Sequence, residues 1–316
     1  MKNPTAAFID SPEAYVAYNA AVHMRDKRAN ELKTAMMKDA RVTGLIAELG
    51  KWPGPSIASH KSAQQFFHKL AFLADIGVTA DDKGVSAIIK KIVKDRDANG
   101  IPTLPVKIPE AYGGSGRQEQ AWALCDAPTV LYALIVMGFS DRKIDTAVDY
   151  LAGNVAPNGW GCIVSEKLGS WRGPGKKSDP CPYATLIMTK MLLQYDLKKY
   201  KKEIGIGAET LLGLWTNSRK EHPYIFYMGT DFRKLKLPFI WYDILHVTDV
   251  LSRIPGISKD KRFMEMLAII EKKEKNGCFV PESVYQPWSD WDFGQKKAAS
   301  DRLTFSVRRI QQRVGV

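Results

Sequence analysis

The chain has 316 residues, 45% of them hydrophobic and 25% charged, with 46 Lys and Arg against 34 Asp and Glu for a formal net charge of +12. This is an ordinary globular composition with length enough for a sizeable core, so it excludes the small disulfide-stapled scaffold. The positive excess points to an anionic partner: nucleic acid, a membrane surface, or a phosphate-bearing small molecule.

The opening stretch, MKNPTAAFIDSPEAY, has no positive region followed by an apolar core, and no secretory signal is expected. The longest strongly apolar run, APTVLYALIVMGF at 127–139, is shorter than the ~20 residues of a membrane helix. The expectation is a cytoplasmic protein without a transmembrane segment. Its four cysteines, Cys125, Cys162, Cys181 and Cys278, then stay reduced.

Residues 1–37 form an N-terminal arm, helical over roughly 11–36. From 38 to 316 the chain repeats as one domain. Asn-Gly pairs stand at Asn99-Gly100, Asn158-Gly159 and Asn276-Gly277, and Asn217 occupies the skipped place. Gly77, Gly138 and Gly256 each end an apolar run, as a helix stop does. Both markers share a period of about 59 residues. Each unit pairs a segment apolar nearly all round with an amphipathic one, for example Ile144, Val148 and Leu151 at helical spacing. Buried helices are predicted near 62–77, 122–138, 181–195, 238–253 and 298–312. Half-exposed helices are predicted near 38–49, 83–96, 141–153, 203–217 and 259–274. No alternating strand pattern is seen. The fold expected is all-α: a double-layered α/α toroid, a ring of five to six helical hairpins with an inner and an outer layer.

With the Gly-Trp-Gly loop of NGWGC at 158–162, this grammar resembles the α/α toroid of squalene and other terpene cyclases and of protein prenyltransferase β subunits. The resemblance covers about residues 38–316 and implies a ligand of prenyl diphosphate type. Asp179, Cys181 and Tyr183 are similar to the prenyltransferases' zinc-binding Asp-x-Cys helix start, with Pro182 placed before the Tyr. The residues themselves suggest a wider set. Cys125 and Cys181 open consecutive buried helices and Cys162 lies in the loop between them, so Cys125, Cys162 and Cys181 with Asp179, or Asp126 in its place, are the candidate zinc ligands. Asp126, in CDAPT, is read as a helix N-cap.

Every predicted buried helix is preceded by at least one cation. Lys176, Lys177, Arg233, Lys234 and Lys236 are the candidates to hold a phosphorylated head at helix N-termini. Trp241, Tyr242 and His246 are the candidates to contact the ligand beside them. The reading is thus a small hydrophobic or phosphorylated ligand, transformed or only bound, with zinc as the one cofactor suggested. One rival is a non-catalytic toroid that binds a ligand or a protein partner. The other is a nucleic-acid-binding helical repeat, against which the dispersed, acid-balanced outer lysines argue.

Overall fold

The computed structural model describes residues 5–169, 171, 176, 178–217 and 226–316. The chain divides into two compact units, residues 47–227 and residues 1–46 with 228–316. It passes from one to the other within helix α3 (Ala40–Leu49). The described residues form twelve α-helices and one two-stranded ribbon. None of these helices is long and apolar enough to cross a membrane.

In residues 47–227, α4 (Phe66–Asp75), α6 (Ala127–Val136) and α8 (Pro182–Tyr195) pack in that order. Their side chains are buried almost all round, as their sequences demand. Between them come the amphipathic α5 (Val85–Lys94), α7 (Arg142–Gly153) and α9 (Lys201–Thr216). On α5 one face, Val85, Ile88, Ile89 and Ile92, is buried and the lysines are left outside. The expected alternation of buried and amphipathic helices therefore holds within this unit.

The ribbon was not anticipated. Strand β1 (Leu104–Lys107) pairs antiparallel with β2 (Gln118–Ala121), with Leu104 opposite Ala121 and Lys107 opposite Gln118. Three successive residues of β1 are buried, because Ile57 bridges it on the other edge, and β2 is almost wholly polar. Neither strand therefore shows the alternation that marks a half-buried strand.

In the other unit, α1 (Ala14–Met24) packs on α2 (Ala29–Met36) and on α12 (Asp301–Val314). Helix α10 (Ile244–Leu251) packs on α11 (Lys261–Glu271) and on α12. The N-terminal arm is tied to the last helix: Ser11 donates to Asp301 at 2.5 Å, and Tyr15 donates to Asp292. Asp292 in turn accepts from the Ser300 hydroxyl at 2.6 Å.

Both units contain the same hook. The Trp160 amide donates to Thr185 Oγ1 at 3.1 Å, and its carbonyl accepts from the amide of Cys181, the N-cap of α8, at 2.7 Å. Phe279 repeats this: its amide donates to Thr304 Oγ1 and its carbonyl accepts from the amide of Ser300, the N-cap of α12, both at 3.0 Å. Each aromatic ring is fully buried just after an Asn-Gly turn. The second aromatic stands one residue further on, which hides the correspondence in the sequence. Gly207 on α9 is required by the same packing, since a Cβ there would lie 2.2 Å from Thr189 Oγ1 and 3.2 Å from the Trp160 ring.

The three buried helices of residues 47–227 share one polar contact. Asp75 on α4 accepts from the Tyr132 hydroxyl on α6 at 2.6 Å and from Lys190 Nζ on α8 at 3.2 Å. Lys190 also sits 4.2 Å from the centre of the Tyr132 ring. Removing one charge from such a buried pair leaves the other uncompensated. Asp75→Asn is expected to cost about 3 kcal/mol. In urea unfolding followed by circular dichroism, Asp75→Asn with Lys190→Met should recover most of that loss.

Candidate functional site

Two clusters of titratable side chains lie at helix starts, one in each unit. In residues 47–227, the segments 122–124 and 163–165 run antiparallel: Leu124 N donates to Ile163 O at 3.0 Å, Ser165 N donates to Trp122 O at 2.9 Å, and Ala123 bridges Val164. Continued by one step, this register sets Cys125 opposite Cys162. The hook through Trp160 brings Cys181 to the same place. All three cysteines are half-buried.

The Cys125 thiol is hydrogen-bonded to Cys181. That bond is the main reason the Cys125 thiol is pushed well up, with burial second and the charge of Cys181 third. It also lowers Cys181, against burial and with help from the amides of Ala184 and Tyr183 at the start of α8. Cys181 Sγ accepts from the Ala184 amide at 3.5 Å. A thiolate at a helix N-terminus is favoured by the unpaired amides and the helix dipole.

Next to Cys125, Asp126 stands at the N-cap position of α6, but its carboxylate does not cap the helix. Oδ2 pairs with His60 Nε2 at 2.8 Å, and Oδ1 accepts from the Ala123 amide at 3.3 Å. His60 stacks on Trp171 at 6.3 Å, and its carbonyl accepts from His68 Nε2 at 2.8 Å. Burial holds His68 at about 3, so it is neutral.

Asp179 Oδ2 accepts from the Lys176 amide at 2.8 Å. Among the described residues, no three His, Cys, Asp or Glu side chains are arranged to hold a metal ion. Lys176 is exposed, and Lys177 lies outside the described residues.

The other cluster is built around a residue that the sequence reading missed. Helix α10 begins at Ile244, six residues later than its apolar pattern suggests, because Asp243 caps it. Asp243 is completely buried. Its Oδ1 accepts from the His246 amide at 2.9 Å. Its Oδ2 has no hydrogen-bond partner among the described residues. Burial pushes its pKa up to about 7, against the opposing pull of Lys236 and of two backbone amides. Lys236 is itself buried; it reaches Asp231 at 3.4 Å and lies 5.9 Å from the centre of the Tyr285 ring. Tyr285 is half-buried, but its hydroxyl is buried and has no hydrogen-bond partner among the described residues. Burial, then the charges of Asp243 and Asp231, push that hydroxyl's pKa well up.

The residues expected to bind ligand gather here in part. Lys234 also pairs with Asp231, at 3.4 Å, so one carboxylate faces two of the predicted cations. Arg233 is half-buried, and its carbonyl accepts from Lys273 Nζ. His246 is buried; its Nδ1 lies 3.0 Å from the Trp241 carbonyl, and its ring stacks on Phe239 at 4.8 Å. Tyr242 packs on Phe232 at 5.1 Å. The signal for Asp243 was an acid closing an aromatic run, WYD, directly before a helix.

Comparison with known protein families and with curated proteins finds no match to this chain.

Asp243 links stability to pH. The folded chain keeps this proton up to about pH 7. The unfolded chain releases it near an ordinary value of about 3.9. The folded state therefore binds more protons between these values, and stability falls as pH rises through that window. Asp243→Asn keeps a capping side chain. Thermal unfolding at a series of pH values should show this component of the decline in the wild type and lack it in Asp243→Asn.

Proposed function

We propose that the protein holds an apolar, isoprenoid-type molecule with a phosphorylated head in an α/α toroid, and that Asp243 delivers a proton to it. The carrying observation is Asp243 itself: a fully buried carboxyl with one oxygen fixed at the start of α10, the other unpartnered among the described residues, and a pKa near 7. A carboxylic acid that stays protonated near neutral pH is suited to general-acid chemistry. Its surroundings suit an apolar substrate, since Phe239, Trp241, Tyr242 and His246 lie on the same short stretch of chain. Aromatic faces stabilise developing positive charge on such a substrate.

Arg233, Lys234 and Lys236 supply the attraction for an anionic head. Against these three cations the same loop carries one acid, Asp231. In this reading Asp243 protonates a double bond of the substrate, and the resulting carboxylate is stabilised by Lys236. The alternation of buried and amphipathic helices within residues 47–227 supports the toroid part of the proposal.

A specific observation favours the rival reading of a binding scaffold. Lys234 and Lys236 already hold Asp231, as they would in a structural ion cluster. Incubation with an all-trans prenyl diphosphate in deuterated water separates the two. Proton delivery predicts one solvent deuterium in the recovered hydrocarbon skeleton, and loss of that label by at least about tenfold in Asp243→Asn, the scale on which a positioned acid acts. The labelling rate should fall as pH rises through about 7, because the protonated carboxyl is the donor. Binding without deuterium uptake would favour the scaffold.

A further inference from the structure

We infer that a second ligand site lies at the C-terminal ends of α10 and α12, and that it takes a small phosphomonoester on Arg253, Arg309 and Arg313. The site lies wholly within the unit of residues 1–46 and 228–316 and is independent of the proton-donor reading. An open cleft of about 420 Å³ is bounded there by the turn 252–258 and by Arg313 and Val314. That volume is in the range of small-molecule sites. Arg253 and Arg313 stand on its wall, with Ser252 and Ser258 beside them and Ile254, Pro255 and Val314 as its apolar part.

The charges at this place do not balance. One buried carboxylate, Asp249, serves both wall arginines: its Oδ2 accepts from Arg253 at 2.5 Å and its Oδ1 from Arg313 at 2.9 Å. Arg313 also donates to Ser252 Oγ at 3.0 Å, which fixes its guanidinium at the cleft. Arg309 stands one turn before Arg313 on the same face of α12. It is half-buried, its Nε is buried without a hydrogen-bond partner among the described residues, and it pairs with no carboxylate among them. Its guanidinium lies 5.8 Å from the centre of the Phe305 ring. Burial first, and then the charge of Arg313, push its pKa down to about 10; Asp249 opposes the fall, and Arg253 and Arg302 add to it.

Arginines at helix C-termini complement the last carbonyls and the helix dipole. Together with Asp249, that accounts for Arg253 and Arg313. It does not account for Arg309, a cation held among like charges with no acid of its own. Such a charge is costly to bury unpaired, and an anion in the cleft offsets that cost. Three guanidinium groups against one carboxylate leave two positive charges in excess, which a phosphomonoester dianion neutralises. Arginine also offers paired N–H donors that match phosphate oxygens. The apolar wall suits the organic substituent that the phosphate carries.

The test uses the full chain and phenyl phosphate as the probe, with sodium chloride of matched ionic strength and benzyl alcohol as controls. The melting temperature should rise saturably with phenyl phosphate and with neither control. Arg309→Met should melt no lower than the wild type without probe, because it loses an uncompensated charge. Its affinity for phenyl phosphate, read by calorimetric titration, should be at least about tenfold weaker, the scale of one charge-assisted hydrogen bond. Asp243→Asn should bind the probe as the wild type does. The proposal is overturned if phenyl phosphate does not bind saturably, or if Arg309→Met binds it undiminished. It is overturned in favour of a packing role if Arg309→Met melts well below the wild type. Binding lost in Lys236→Met but kept in Arg309→Met would move the phosphate to the proton-donor site. Binding confined to a single-stranded DNA oligonucleotide would replace the small ligand by a nucleic-acid backbone.

Discussion

The hook that follows two of the three Asn-Gly turns fixes where α8 and α12 start. One buried aromatic residue uses both backbone groups, its carbonyl for the N-cap amide of the next helix and its amide for a threonine four residues further on. Trp160, Cys181 and Thr185 make one copy; Phe279, Ser300 and Thr304 make the other. Buried backbone groups must be paired, so the loop cannot slide along the helix without breaking two hydrogen bonds. The starts of α8 and α12 are thereby fixed in register. The N-cap positions of the buried helices are Gln65, Asp126, Cys181, Asp243 and Ser300.

This explains why the chemistry collects at the same structural position. An N-cap favours a side chain that accepts from backbone amides, and Asp, Ser and thiolate all do so. The repeat supplies the place, and the identity of the residue sets its use. Cys181 at one start accepts from the Ala184 amide, whereas Asp243 at another is sealed from water. At a third, Asp126 gives up the cap and holds His60 instead. The polar groups deeper in the helices behave differently. Asp75, Tyr132 and Lys190 satisfy one another and so serve packing, which is the usual fate of buried charge.

Much of the helical frame was legible in the sequence because it follows from period. All ten repeat helices appear on the spans that apolar spacing gives them, α10 starting six residues late, and the N-terminal arm is helical as expected. The ribbon was not legible, since its buried strand lacks alternation and its partner strand is polar. Cys125 and Cys181 stand at the starts of α6 and α8, where the sequence places them, with Cys162 in the loop between. Asp243 escaped notice because an acid at the edge of an apolar run reads as the boundary of a helix.

The central claim is that Asp243 carries a proton at neutral pH. The most direct measurement is the infrared carbonyl band of its protonated carboxyl, followed through a pH titration as the difference between wild type and Asp243→Asn. The account predicts a band that is present at pH values below the midpoint, disappears with a midpoint near 7, and is missing from the variant. A midpoint at the ordinary carboxylate value of about 4 would show that Asp243 is ionised in the folded protein, and would remove the proton donor on which the proposed chemistry depends.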